Sequence, residues 1–358
     1  TLVEEVWSTI EEVGQCGGYG GITFFEAMTA LAFLYFQRIG VDVQVVEVGM
    51  GGRLDATNLV VPEVSIITPI SLDHVSMLGD TLAKIATEKA GIIKSEVPVV
   101  VAPQPEDAMK AILRTALSKK AEVISICDLY DWQITDVGVG GQSFNVCGRG
   151  GQYSLHLSLL GDYQVENAVT AIAAVETMRE KGFPIPAENI SGGIRSVAWS
   201  ARFEILSYRG RTIVVDGAHN LASAQRLSAN VLNLFGARSI LLLFGSLIGH
   251  AMDDMLREFG VLDPSVIAVK SKHPKAVEDG VVANVAKAEG LPVHCESGTV
   301  TEGLEKAMAL AESGAVILAT GSLSVAAEVI QCVSGMTPEP FPDIGLPGKA
   351  VRSARGRT

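Results

Sequence analysis

The sequence has few cysteines, too few basic residues to balance its acids, no long apolar run and no common nucleotide-binding loop. Each lack narrows what the chain can be. Its five cysteines, Cys16, Cys127, Cys147, Cys295 and Cys332, are odd in number, scattered and never paired as CxxC. That argues against a zinc site or a disulfide framework and suits reduced thiols in the cytoplasm. Lys and Arg total 28 against 40 Asp and Glu, a formal net charge of −12. Such a charge opposes non-specific binding to nucleic acid or anionic lipid, so neither is expected as a partner. No apolar run approaches the ~18 residues that span a bilayer, and no charged-then-apolar leader opens the chain as given. The stretch "GMGGRL" nearly matches GxGxxG, but Leu54 stands where the third glycine belongs, and "DATNLVVP" after it is not expected to open a helix. GxxxxGK[ST] is absent; the only Gly-Lys pair, Gly348-Lys349, lacks the first glycine and the hydroxyl residue.

What is present reads as α/β. The 358 residues, 48% hydrophobic and 19% charged, have a globular profile and a length that suggests about two domains. A helical pattern (Leu2, Val3, Val6, Trp7, Ile10, Val13) opens the chain, and Thr23 with Glu26 fits a capping box for a helix to about Arg38. Strands are expected at 43–48, 64–68, 97–102 and 121–125, with helices at 81–92 and 105–119 between them. That alternation predicts a parallel sheet with covering helices. Residues 131–160 are rich in Gly, Val, Thr and Ser with period-two stretches such as "YSLHLSL", so a small antiparallel excursion is expected, then helices near 163–182 and 187–195. A second alternating block begins near Arg202. The boundaries read as 1–198, 199–335, and a proline-containing, aperiodic tail at 336–358 that is expected to be disordered. There is no internal repeat.

Chemistry concentrates where strands should end, because doubly wound sheets bind ligands at their carboxyl edge. "EVGMGGRLDATN" puts Glu47 at the end of one expected strand, followed by Gly49, Gly51, Gly52, Arg53 and Asp55. "PISLDH" brings His74 after another. An acid and an imidazole at one edge can hold a hard or borderline metal ion, and glycines let backbone N–H groups approach an anion. Each residue also has a plain structural alternative. The glycines could form only a tight turn, His74 could be structural, Asp55 could pair with Arg53, and Thr23 and Glu26 are already explained as a cap.

The segments "TFFEAMTALAFLYF", "VVEVGMGGRLDATN", "ISLDHVSMLGDTLAKIATEKAGIIK", "LLGDYQVENAVTA", "SARFEIL" and "IVVDGAHN" occur in this order. Together, over about residues 1–335, they resemble folylpolyglutamate synthase and its dihydrofolate synthase relatives of the Mur ligase superfamily. The resemblance implies a Mur-ligase-like central parallel-sheet domain, N-terminally truncated, and a Rossmann-like C-terminal α/β domain. It also implies an ADP-forming ligase in folate biosynthesis and one-carbon metabolism, which adds L-glutamate to a reduced folate or dihydropteroate through an acyl phosphate. ATP is the implied co-substrate, with two Mg²⁺ ions and a monomeric enzyme.

Carried over by motif, Glu47 and His74 bind Mg²⁺. Lys89, in "EKAGIIK", is carbamylated to a third metal ligand, although taken alone it reads as a solvated lysine beside Glu88. Thr23, Phe24, Phe25 and Glu26, with Leu54, Asp55 and Ala56, match the pterin-binding positions, and Phe25 would stack on the ring. Asn167, Arg202 and Asp216 match ATP contacts to adenine, phosphates and the ribose side, with Gln164 and His219 beside them; all flank the domain boundary, where a cleft is expected. Lys89, His74 and His219 form the implied catalytic set. The family's phosphate loop lies upstream of the segment that matches residue 1, so the chain is expected to be part of a longer ligase and inactive alone. Tyr163 replaces the usual His before Gln164, "SAR" replaces Pro-Gly-Arg, and "GSLIGHAMDD" lacks Asp-Lys-Asp. Two other readings compete: a folate-binding descendant without ATP turnover, and a Mur-type ligase for another acceptor.

Overall fold

In the computed structural model, which describes residues 1–16, 20–72 and 75–336, the opening pattern forms α1 (Leu2–Cys16) and the capping box starts α2 (Phe24–Ile39). Thr23 accepts from the Glu26 N–H at 3.2 Å, while Glu26 accepts from the Thr23 N–H at 2.7 Å. Neither helix contains a buried residue. The apolar run after them, 43–48, is not a strand as expected. It is irregular, with Val45 95% exposed. A strand exists only where a neighbour takes its backbone hydrogen bonds, and no described strand pairs with this run.

The chain clusters into two units. The first comprises Thr1–Asp136, Ser143–His156 and Asp162–Ser196; the second comprises Val137–Gln142, Leu157–Gly161 and everything described from Val197 on. In the first, one 3₁₀ turn (Ala56–Leu59) leads to β1 (Ser65–Ile67), α3 (Val75–Leu78), α4 (Leu82–Ala90), β2 (Val99–Val101), α5 (Glu106–Lys119), β3 (Val123–Ser125) and α6 (Ile126–Leu129). The strands are parallel in the order β1-β2-β3. Ile67, Val99 and Val101 pack against Ile85 of α4 and Ile112 of α5 in one core. The glycine-rich segment forms β4 (Asp131–Gly138), β5 (Gly141–Gly148) and β6 (Gly151–Leu157), a three-stranded sheet in that order. Its two-residue connections can only reverse the chain, so its neighbours are antiparallel. Next comes α7 (Asp162–Glu180), which packs on β1 and β2, then α8 (Ala187–Ser196).

The second unit is a six-stranded sheet, in the order β11-β10-β9-β12-β8-β7. Its elements are β7 (Glu204–Tyr208), β8 (Arg211–Val215), α9 (Leu221–Phe235), β9 (Ile240–Phe244), α10 (Met252–Phe259), β10 (Ser265–Lys270), α11 (Asp279–Ala288), β11 (Val293–Thr299), α12 (Val300–Leu310), β12 (Val316–Thr320) and α13 (Leu323–Ser334). Strands β8 to β12 are parallel, and β7 is an antiparallel edge joined to β8 by a hairpin. The central strands read as continuous apolar runs because both faces are covered. Val214, Leu242 and Leu318 face Leu227 of α9, Met255 of α10 and Val282 of α11. Ile213, Leu243 and Ile317 face Leu304 of α12 and Val325 of α13. The segment read as a tail, from 337 on, lies outside the described residues.

Candidate functional site

In the first unit, the site is built where the glycine loop meets the last turn of α4. The backbone N–H of Arg53 donates to the carbonyl of Glu88 at 2.9 Å. Gly52 lies so close that a Cβ there would stand 2.9 Å from the carbonyl oxygens of both Glu88 and Lys89. The Arg53 side chain closes the junction, with Nε 3.1 Å from Glu88 Oε1. Asn58 Nδ2 donates to the carbonyls of Arg53 and Gly91 at 3.1 Å each. Asp55 therefore does not pair with Arg53. It folds the loop instead: Oδ2 accepts from Met50 N–H at 2.9 Å, and Oδ1 accepts from Thr57 N–H at 3.0 Å and from the Thr57 hydroxyl at 2.6 Å. Partial burial works to raise the Asp55 pKa, but the Thr57 hydroxyl and the N–H groups of Met50, Thr57 and Gly49 outweigh it and hold it below the usual carboxylate range. Asp55 also caps the 3₁₀ turn that "DATNL" forms, one turn more helix than the sequence suggested.

The two segments expected to bind pterin adjoin, since α2 lies against that 3₁₀ turn. Phe25 already has a neighbour: a Cβ on Gly49 would fall 2.4 Å from its ring, so Phe25 lies on the Gly49 backbone with 43% of its surface exposed. Phe24 and Leu54 are 82% and 80% exposed, and Ala56 opens the 3₁₀ turn. Glu47 is exposed two residues before Gly49, in the irregular run and not at a strand end. Lys89 is half-buried in the last turn of α4. His74 lies outside the described residues. Among the described residues, no group of three or more His, Cys, Asp and Glu is arranged to hold a metal ion. The Glu47 carboxylate has the right chemistry for a hard divalent cation, whereas the Lys89 amine would have it only if converted to a carboxylate; the Arg53–Glu88 junction ties their two segments together.

On α7, Gln164 is buried, and Asn167 is exposed and donates to its amide oxygen at 3.3 Å. In the second unit, Arg202, Asp216 and His219 come together at the carboxyl end of β8. The Asp216 carboxylate is buried, with Oδ2 accepting from Phe203 N–H and Oδ1 from Ala218 N–H, both at 2.8 Å. Burial pushes its pKa up, partly countered by those N–H groups and by the charges of Arg202 and His219. His219 Nδ1 lies 3.0 Å from the Gly217 carbonyl, and its ring centroid is 5.4 Å from that of His250. Arg202 lines a depression of about 250 Å³ with Trp199 and Ser158. The role of Arg53 and the left-handed backbone on both sides of Arg202 were not legible in the sequence, because both depend on contacts distant along the chain.

Two family models match: the Mur ligase middle domain over residues 1–175, and the Mur ligase, glutamate ligase domain over residues 201–323. The chain is 34% identical over 317 residues to a probable bifunctional folylpolyglutamate synthase/dihydropteroate synthase of Haloferax volcanii, covering 86% of this chain and 36% of that protein. It is 33% identical over 296 residues to the dihydrofolate synthase/folylpolyglutamate synthase of Mycobacterium tuberculosis, covering 79% and 61%. The chain thus spans less than two thirds of the length of these curated relatives. The structure of the M. tuberculosis folylpolyglutamate synthase complexed with ADP and AMPPCP superposes with a TM-score of 0.84 at 31% identity, over 94% of this chain and 79% of that one.

Proposed function

The chain belongs to the folylpolyglutamate and dihydrofolate synthases of the Mur ligase family, and from that premise we propose that it acts in an ATP-dependent, ADP-forming ligase that adds L-glutamate to a folate carboxylate. In that reaction the carboxylate attacks the γ-phosphorus and ADP leaves. The glutamate amine then attacks the acyl carbon, phosphate leaves, and one proton is lost as the amide forms. Negative charge grows in both steps, so cations do most of the work. Glu47, His74 and a carbamylated Lys89 would hold Mg²⁺, which when bound supplies charge neutralisation at the transferring phosphate. Arg202 would face the phosphates, His219 would stand beside it, and Gln164 and Asn167 would serve the adenine. Thr23, Phe24, Phe25, Glu26, Leu54 and Ala56 would line the pteridine pocket, with Asp55 keeping their loop folded. A monomeric cytoplasmic enzyme goes with this reading. None of the 358 residues supplies a GxxxxGK[ST] loop, and the chain spans only part of the length of its curated relatives.

The observation that carries the proposal is the seating of Gly52 and Arg53 on the carbonyls of Glu88 and Lys89. It gives a glycine-rich acidic loop and a lysine turn one common frame, an arrangement that suits a metal-assisted ligase and that a simple tight turn does not need. The test is phosphate release by the full-length product with glutamate, Mg-ATP and either dihydropteroate or tetrahydrofolate. Release that depends on one of these acceptors supports the reading and names the substrate. Tight pterin binding without any ATP turnover would instead support the non-catalytic descendant.

A further inference from the structure

Asn58 and Lys94 have no role in the proposed reaction, yet the loop of Asp55 and the end of α4 meet through them. Carbonyls at a helix end have no partner within the helix. At the end of α4 the Glu88 carbonyl takes the Arg53 N–H, and the Gly91 carbonyl takes Asn58 Nδ2 at 3.1 Å. The same Nδ2 donates to the Arg53 carbonyl, also at 3.1 Å, so one amide group ties both segments. They lie in close contact, since a Cβ on Gly91 would stand 2.4 Å from Arg53 Cβ. The next carbonyl, that of Ile92, takes the hydroxyl of buried Ser65 at 3.3 Å.

Asn58 is also fixed through its backbone. Its N–H donates to the Asp55 carbonyl at 2.9 Å, and its carbonyl accepts from Lys94 Nζ at 2.7 Å. Asp55 caps the start of the 3₁₀ turn, and Lys94 serves a carbonyl at its end. Lys94 is half-buried, and a hydrogen bond from a charged donor is of the stronger kind. Its acceptor is a carbonyl and not a carboxylate, so here the cation holds backbone.

We propose that Asn58 and Lys94 are a staple of two positioning residues, which fixes the 3₁₀ turn bearing Ala56 against the end of the helix bearing Lys89. The placement of Leu54, Asp55 and Ala56 relative to Lys89 then depends on one amide and one ammonium group. In the ligase that placement sets the folate against the cations, so the catalytic consequence rests on the proposed function. The staple itself does not.

The experiment has two arms. In the first, residue-resolved hydrogen exchange is measured on the full-length protein. The Arg53 and Asn58 amides of the wild type should exchange at least about a hundredfold more slowly than in an unstructured peptide. In Lys94→Met, which keeps the stem and loses the donor, they should speed up by about tenfold or more while Val100 in β2 keeps its rate. Lys94→Arg should restore the protection. Unprotected amides in the wild type overturn the proposal even if no variant folds, and so do amides indifferent to Lys94→Met. In the second arm, Lys94→Met should raise the KM for the folate acceptor about tenfold and that for ATP less than about twofold. It should add less than about twofold in an Asn58→Ala background. Equal rises in both KM values would mean general loosening and would sink the proposal. If the wild type turns over no ATP, the ligase reading falls, and the exchange arm alone upholds or overturns the staple.

Discussion

Replacing Tyr130 by Phe removes one oxygen atom and leaves the packing intact, which makes it a clean probe of the first unit. The Tyr130 hydroxyl donates to Glu176 Oε2 at 2.6 Å, and the Tyr153 hydroxyl donates to Oε1 at 2.7 Å. Glu176, on α7, is 1% exposed, so water cannot replace either donor. Tyr130 precedes β4 and Tyr153 is in β6, so the pair pins both ends of the antiparallel sheet to one helix. Gly150 completes the seat, since a Cβ there would stand 2.3 Å from Glu176 Oε1. A hydrogen bond to a charged group contributes about 1.5–3 kcal/mol net, so Tyr130→Phe should cost about 2 kcal/mol. Tyr153→Phe should cost somewhat less, because Tyr153 is 8% exposed and its oxygen also accepts from Arg179 at 3.3 Å. The double variant should exceed the sum, since it strands a buried carboxylate.

The assay is urea unfolding of the first unit with an unchanged m-value, using the second unit as the internal reference. A Tyr130→Phe loss below about 0.5 kcal/mol would refute the reasoning. Alkali gives a second check. Burial first, then the bond to Glu176 and its negative charge, raise the Tyr130 phenol pKa well above the ordinary value. A raised pKa means the stability is fully present below the unfolded-state value of about 10 and is lost as pH rises past it. Tyr130→Phe should flatten that alkaline slope.

Three further outcomes are expected. Gly52→Ala should detach the loop from α4 at a cost of about 2–3 kcal/mol, because its Cβ would meet two backbone carbonyls that cannot step aside; urea titration of the first unit reads this, and a cost near zero would show that the loop is not seated there. Arg53→Gln, at a largely exposed ion pair, should change stability by only about 0.5 kcal/mol yet raise the KM for folate in the full-length enzyme; unchanged kinetics would make the pair ornamental. Lys89→Ala should abolish turnover, and added short carboxylates should partly restore it. Full activity in that variant would return Lys89 to the ordinary half-buried lysines of a helix end.

The parts of the fold legible in the sequence were those decided locally. Thr23 and Glu26 announce their capping box within four residues, and "ILLLF" and "VILAT" read as doubly covered strands because every residue of β9 and β12 is buried. The run 43–48 was misread for the opposite reason. Its composition is that of a strand, but strand formation depends on a neighbour, and composition carries no information about neighbours. In the candidate site, motif alone puts Glu47, Lys89, Arg202 and His219 forward as candidates, but the contacts that hold their segments were not legible. Arg53 and Glu88 are 35 positions apart, and Phe203 and Asp216 are 13 apart. Nothing in "SARF" signals that Ala and Phe adopt a backbone usually left to glycine.

Asp55 and Asp216 do the same mechanical job in surroundings that should make them respond oppositely to acid. Each takes backbone N–H groups on both oxygens and so folds a loop without regular secondary structure. At Asp55, donors prevail over burial and the folded pKa is depressed. Its stabilisation is therefore present above the unfolded carboxyl value of about 3.9 and is lost as pH falls through the folded pKa. At Asp216, burial prevails over its donors and the folded pKa is raised. Its ionisation then works against the fold, and its contribution declines as pH rises from about 3.9 through the folded pKa. The stability of wild type relative to Asp55→Asn should thus grow from pH 3 to pH 7, while that relative to Asp216→Asn should shrink over the same range. Unfolding of each unit in its own variant measures both slopes, and slopes of the same sign would mean that burial does not separate these two carboxylates.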